Sequence, residues 1–93
     1  MRRLWVVSYD ISDDDRRIRL VGFLEGWGCR VLESVFECVW RADQIPQIRQ
    51  DLQALIDPSQ DRLWLVPVCQ SCLATAAVNG QHRTVWQVHY HVV

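Results

Sequence analysis

At 93 residues, with 49% hydrophobic and 23% charged positions, the chain has the composition of one folded globular domain and not of a disordered segment. All ten positive charges are Arg, and a formal net charge of -1 excludes a histone-like binder that holds nucleic acid by bulk charge. Any nucleic-acid contact must come from locally placed Arg.

The longest apolar runs, such as 63–69, are too short to span a bilayer. Met1-Arg2-Arg3 leads into a strand-like run with no small-residue cleavage signal, so the sequence predicts a cytoplasmic protein with no membrane partner. In that compartment the four Cys are expected as thiols or at most one metal site, not as disulfides. A domain of this size buries roughly 60 to 65% of its unfolded-chain surface, so oligomerisation is a plausible contributor to its stability. No repeat, linker or low-complexity tract divides the chain, and 1–93 is read as one domain.

Leu4 to Ile11, rich in Val, Trp and Tyr, predicts a buried strand that ends at Asp10 and Ile11. Ser12 with Asp15 three residues on resembles a capping box, and Leu20, Phe23, Leu24 and Trp27 fall on one helical face. Gly28 then reads as the C-cap, giving a helix from about Asp13 to Trp27. From Cys29 to Trp40 the residues alternate with period two, as one long strand or as two joined by a kink near Ser34.

Asp43 is the cap candidate for a second amphipathic helix, with Pro46 in its first turn, Ile45, Ile48, Leu52, Leu55 and Ile56 on its apolar face, and Pro58 ending it. Asp61 to Val68 predicts a strand, for which Pro67 near its end argues an edge or terminal position. A connector over 69–80 precedes an alternating C-terminal strand, Thr84, Trp86, Val88, Tyr90 and Val92, with His89 and His91 on its other face. The order predicts an α+β fold, a ferredoxin-like βαββαβ sandwich with both helices on one face. The extra strand, about 83–93, is expected to serve a dimer or partner contact.

Asp10 is the first candidate for chemistry. A carboxylate at the carboxyl end of the first strand, just before a helix, suits a ligand crevice. Mg²⁺ takes one or two carboxylates and keeps several waters, so one Asp per chain suffices if a two-fold axis brings its copy close. Asp10 as a turn or cap residue is the competing reading. Asp13, Asp14 and Asp15 fit a helix N-terminus better than a metal cluster. Arg16, Arg17 and Arg19, with Arg30 further on, either make a phosphate track beside Asp10 or form a solvated face paired with Asp13 to Asp15. Cys69-Gln-Ser-Cys72 is half of a zinc spacing; Cys29, Cys38, His82, His89 and His91 supply no second pair, and the thiols are read as buried.

Taken together, Tyr9-Asp10-Ile11-Ser12-Asp13-Asp14, then Arg16, Arg17 and Arg19, then Gly28, Arg30 and Ser34-Val35-Phe36-Glu37 resemble a small CRISPR-associated family. That family is described both as metal-dependent endoribonucleases and as the non-integrase subunit of the spacer-acquisition complex. The resemblance covers most of the chain.

It implies a ferredoxin-like homodimer whose two Asp10 carboxylates face the two-fold axis and hold Mg²⁺. It also implies substrate or activity roles for Tyr9, Arg17, Arg19, Arg30 and Phe36, with Ser34 inside the matching run. Implied substrates are single-stranded RNA and double-stranded DNA, and the implied partner is the integrase subunit of a heterohexameric acquisition complex. Three readings follow: a Mg²⁺-dependent endoribonuclease of CRISPR adaptation with Asp10 catalytic, a non-catalytic adaptor that bridges integrase dimers on the DNA backbone, and a toxin-like ribonuclease on the same fold. The absence of Lys and the Trp-rich strands are departures from the family pattern.

Overall fold

A computed structural model describes residues 2–69. The expected C-terminal strand, Cys72 and the three His lie outside the described residues. The elements run β1 (Arg2–Asp10), α1 (Asp14–Glu25), β2 (Gly28–Leu32), β3 (Val35–Arg41), a single 3-10 turn (Ala42–Gln44), α2 (Ile45–Leu55) and β4 (Arg62–Val68).

The four strands form one sheet in the order β2-β3-β1-β4 with every neighbouring pair antiparallel. This is the ferredoxin-like βαββαβ order the sequence predicts. β1 is central, and β4, which carries Pro67, is an edge strand of the described sheet. That is the position where a residue without a backbone N–H costs least.

Residues paired across a ladder point to the same side, so the register assigns the faces. Val7 opposes Phe36 and Trp5 opposes Cys38, and this face carries the helices. Val7, Tyr9, Phe36, Cys38 and Trp40 pack there against Leu20 and Leu24 of α1 and Ile48 and Leu52 of α2. Trp40 is fully buried between Trp5 and Trp27, with ring centroids 6.3 and 6.2 Å away. The opposite face presents Val6, Val39, Trp64 and Val66, of which Trp64 and Val66 are about half exposed.

Several element boundaries differ from the sequence reading. The cap of α1 is Asp13, whose carboxylate accepts the Arg16 N–H at 2.9 Å, and not Ser12. The helix ends at Glu25 with Gly26 as its C-cap, and Gly28 starts β2. Gly28 is needed for close approach: a Cβ there would lie 1.9 Å from the Glu37 carbonyl oxygen on β3. Of the two readings of Cys29 to Trp40, two strands joined near Ser34 is the one observed, with the kink drawn out into a full hairpin reversal at Glu33–Ser34. The second helix starts at Ile45, because Asp43 lies in the 3-10 turn and spends its carboxylate on the Arg41 Nε. Among the described residues Cys29 and Cys69 are exposed and only Cys38 is buried, against the expectation of buried thiols.

Candidate nucleic-acid and metal site

The carboxyl end of β1 is built by its own neighbours. Tyr9 donates its backbone N–H to the Ser34 carbonyl at 3.2 Å and its hydroxyl to the Glu33 carbonyl at 3.2 Å. One residue therefore ties the central strand to the β2–β3 turn twice. Asp10 follows immediately and is exposed.

Beyond it, Arg17 donates from its guanidinium to the Ile11 carbonyl at 3.1 Å and also bonds Asp14, which fixes the start of α1 against the end of β1. The result is an open concavity lined by Ser8, Tyr9, Asp10, Ile11, Arg17, Glu33, Ser34 and Trp64.

Of the residues the sequence singles out, the structure brings Tyr9, Asp10, Arg17 and Ser34 to this concavity. Arg30 and Phe36 sit elsewhere. They face each other in the β2–β3 register on the helix side of the sheet, with the guanidinium 5.5 Å over the ring. Phe36 is fully buried and 6.4 Å from the Tyr9 ring, so it supports Tyr9 from within the core. Arg19 lies on the exposed face of α1 and bonds the Asp15 carbonyl at 3.3 Å.

Arg16 turns the other way. It grips Asp61 with Nε at 2.8 Å and a terminal nitrogen at 3.2 Å, and the Asp61 carboxylate is closed to solvent. Beside the Arg16 guanidinium, and with the Asp57 N–H as a further donor, the Asp61 carboxyl is held below the usual carboxylate range. Asp57 is lowered as well, first by the Ser59 hydroxyl and then by the Ser59 N–H.

Sequence reasoning missed Trp64, Glu33 and Arg62. Arg62 is the cross-strand partner of Asp10 in the β1–β4 ladder, and Trp64 is the partner of Ser8. Strand register alone identifies them. The exposed Trp at an alternating position in β4 was the one signal in the sequence.

The donor set suits a hard, hydrated cation. Asp10 and Glu33 place two carboxylate-bearing residues on one open concavity, and Mg²⁺ requires no more than one or two while keeping its waters. Among the described residues no group of three or more His, Cys, Asp or Glu forms a closed cage, so a zinc-like site is not built here. No helix among the described residues is long and apolar enough to cross a membrane.

Comparison with known proteins converges on one family. The model of CRISPR associated protein Cas2 matches residues 1–76. The CRISPR-associated endoribonuclease Cas2 1 of Chloroflexus aurantiacus is 49% identical over 77 residues, which is 82% of this chain and 83% of that protein. A Thermus thermophilus hypothetical protein, TT1823, superposes with a TM-score of 0.75 at 37% identity over 87% of this chain and 94% of its own. A chain of a partial Cas6-RT-Cas1--Cas2 complex has the same fold, with a TM-score of 0.71 at 21% identity over 82% of this chain and 83% of its own. Ferredoxin-like topology, the Tyr9-Asp10 strand end and these matches agree: the chain belongs to the CRISPR-associated Cas2 family.

Proposed function

We propose that this protein is a Mg²⁺-dependent phosphodiesterase of CRISPR adaptation, an endoribonuclease acting on single-stranded RNA or double-stranded DNA. The observation that carries the reading is the exposed Asp10 carboxylate at the end of the central strand, in one concavity with Arg17 and Glu33. The name of the Chloroflexus relative supports the activity. A Mg²⁺ ion bound there supplies a Lewis acid and a water of lowered pKa.

The chain's own residues do the rest. Asp10 would hold the ion, with Glu33 as the second carboxylate-bearing residue of the concavity. Arg17, which lines the concavity, and Arg62, the cross-strand partner of Asp10, supply positive charge for the phosphate oxygens, and Tyr9 fixes the strand end to the β2–β3 turn so that the carboxylate does not swing away. The working unit is a homodimer, since the sheet face bearing Asp10 also carries exposed Trp64 and Val66, apolar surface that a second copy covers.

A cytoplasmic adaptor is the second reading. It is favoured by the absence, among the described residues, of any group of three or more potential metal ligands, and by the likeness in fold to a chain of a partial Cas6-RT-Cas1--Cas2 complex. In that role the dimer bridges integrase subunits and its Arg side chains neutralise phosphates.

Asp10→Asn separates the two readings. Loss of Mg²⁺-dependent cleavage with the fold intact supports the enzyme, whereas spacer acquisition that persists without Asp10 assigns the biological role to the adaptor. Duplex binding through Arg is expected to weaken with salt at a slope of about -0.9 per phosphate neutralised, and a flat salt response would reject it.

A further inference from the structure

The other end of β1 carries a second set of Arg and Trp. Arg2 and Arg41 are direct cross-strand partners in the β1–β3 register. They project from the same face and line one small concavity with Trp27, Val39 and Gln44. Like charges placed directly opposite destabilise a ladder.

The described neighbourhood offers one partial remedy. The Arg41 Nε bonds Asp43 at 3.1 Å, and Arg2 and Arg41 both line the concavity. β2 stops short here: its first pair is Gly28 with Cys38, so β3 runs on to Arg41 without a β2 neighbour. Trp27 stands beside that uncovered stretch. Its edge-on packing against Trp40 fixes the ring, and it remains 36% exposed.

Two Arg forks with a fixed, exposed indole match one ligand chemistry: a phosphate attached to a stackable base. From the spacing of β1 this shelf lies about 26 Å from Asp10, too far to belong to the same phosphate. It shares its sheet face with Trp64 and Val66 but lies about 13 Å along β1 from the Val6–Val66 pair, at the opposite end of the strands from Trp64. We propose that Arg2, Arg41 and Trp27 form a second site, which takes the terminal phosphate and adjoining base of a 5′-nucleotide, free or at the end of a strand. An anion there bridges the two guanidiniums and removes their repulsion while the base stacks on Trp27.

The test is binding to the full chain in EDTA, so that cleavage does not intervene. Probes are a short single-stranded oligodeoxyadenylate with a 5′-phosphate, the same strand with a 5′-hydroxyl, AMP and inorganic phosphate. The phosphorylated strand is expected to bind about tenfold tighter than the hydroxyl strand, the effect of one charge-assisted contact. Arg2→Gln and Arg41→Gln should each erase that preference, Trp27→Leu should reduce the strand and AMP to the level of inorganic phosphate, and Arg49→Gln, an exposed Arg of α2 in neither site, should bind as wild type. AMP as strong as the strand identifies free nucleotide as the source, and a tighter strand identifies strand ends.

Melting gives an independent reading. AMP should raise the wild-type melting temperature, and Arg2→Gln without ligand should melt no lower than wild type because a repulsion has been removed. Equal binding of phosphate and hydroxyl ends, or no AMP shift in the wild-type melt, overturns the proposal whatever the variants do.

Discussion

Arg16 and Asp61, 45 residues apart, are joined by two hydrogen bonds of 2.8 and 3.2 Å, and this pair fastens the first turn of α1 to the start of β4. Since Arg62 follows Asp61 and faces Asp10 across the ladder, the pair sets the position of the strand that flanks the candidate site. Arg16 is thus committed within the fold, while Arg17, one residue on, turns to the concavity.

Asp61→Asn is expected to lower the melting temperature at neutral pH by about 5 to 10 °C, because Arg16 loses its anionic partner inside a closed pocket. The pH dependence has a definite sign. Asp61 and Asp57 titrate below their ordinary values in the fold, so the stability they contribute is present above the usual carboxylate pKa of about 4 and is lost as pH falls through the lowered values. Acid denaturation followed by circular dichroism should therefore show a shallower acid limb in Asp61→Asn than in wild type. Identical limbs would contradict the assignment.

Gly28→Ala should be among the most damaging small substitutions. The added methyl meets the Glu37 carbonyl oxygen at 1.9 Å and the Cys38 Cα at 2.8 Å, both backbone atoms that cannot rotate away. Urea titration should give a loss of about 3 kcal/mol, the upper range for overpacking. The mirror experiment, Gly22→Ala in α1 where nothing lies within 4 Å, should be neutral or stabilising.

Phe36 and Asp10 should fail for different reasons. Phe36 is fully buried against Tyr9, so Phe36→Ala should cost about 3 to 5 kcal/mol and lose activity through the fold. Asp10 is exposed at a strand end, so Asp10→Asn should leave the melting temperature within about 2 °C while removing Mg²⁺-dependent cleavage. Phe36→Leu, which keeps most of the volume, is expected to retain cleavage. If it abolishes cleavage in a folded protein, Phe36 has a role beyond packing.

Cys38 and Cys29 should differ sharply in reactivity. Burial pushes the Cys38 thiol up to about 12, with the neighbouring Cys29 and Glu37 charges adding to it, whereas Cys29 is exposed. At pH 8 a thiol reagent should label Cys29 at once and Cys38 only at the rate of unfolding. Because the folded value lies above the unfolded one, the stability from the neutral thiol is complete below about pH 9 and is lost as pH rises toward 12. Cys38→Ala should flatten that alkaline limb.

The fold was legible because its apolar pattern is strong. Phe36, Cys38 and Trp40 alternate as read and are the residues buried on the helix side, and Ile48 and Leu52 are the buried residues of α2. Boundaries were less legible where two residues compete for one role: Asp13 outcompetes Ser12 for the cap, and Gly26 and Gly28 divide the tasks of ending a helix and admitting a neighbouring strand. The site was half legible. Tyr9, Asp10 and Arg17 are local in sequence and announce themselves, but Arg62 and Trp64 join them only through the β1–β4 register, which no local pattern encodes. Arg16 and Arg17 are adjacent and chemically equal, and only the tertiary position of Asp61 separates their duties.

The central place of β1 has a consequence for synthesis. The first strand made is the one whose two neighbours come last: β3 begins at Val35 and β4 at Arg62. A nascent chain therefore carries Trp5 and Val7 without β3 partners until Phe36 and Cys38 have been made, and without β4 partners until Leu65 and Pro67 follow. The surroundings of Asp10 are assembled from the β2–β3 turn first and from β4 at the end. A chain interrupted between Ser34 and Arg62 contains Tyr9, Asp10, Arg17 and the β2–β3 turn yet lacks the β4 wall of the concavity.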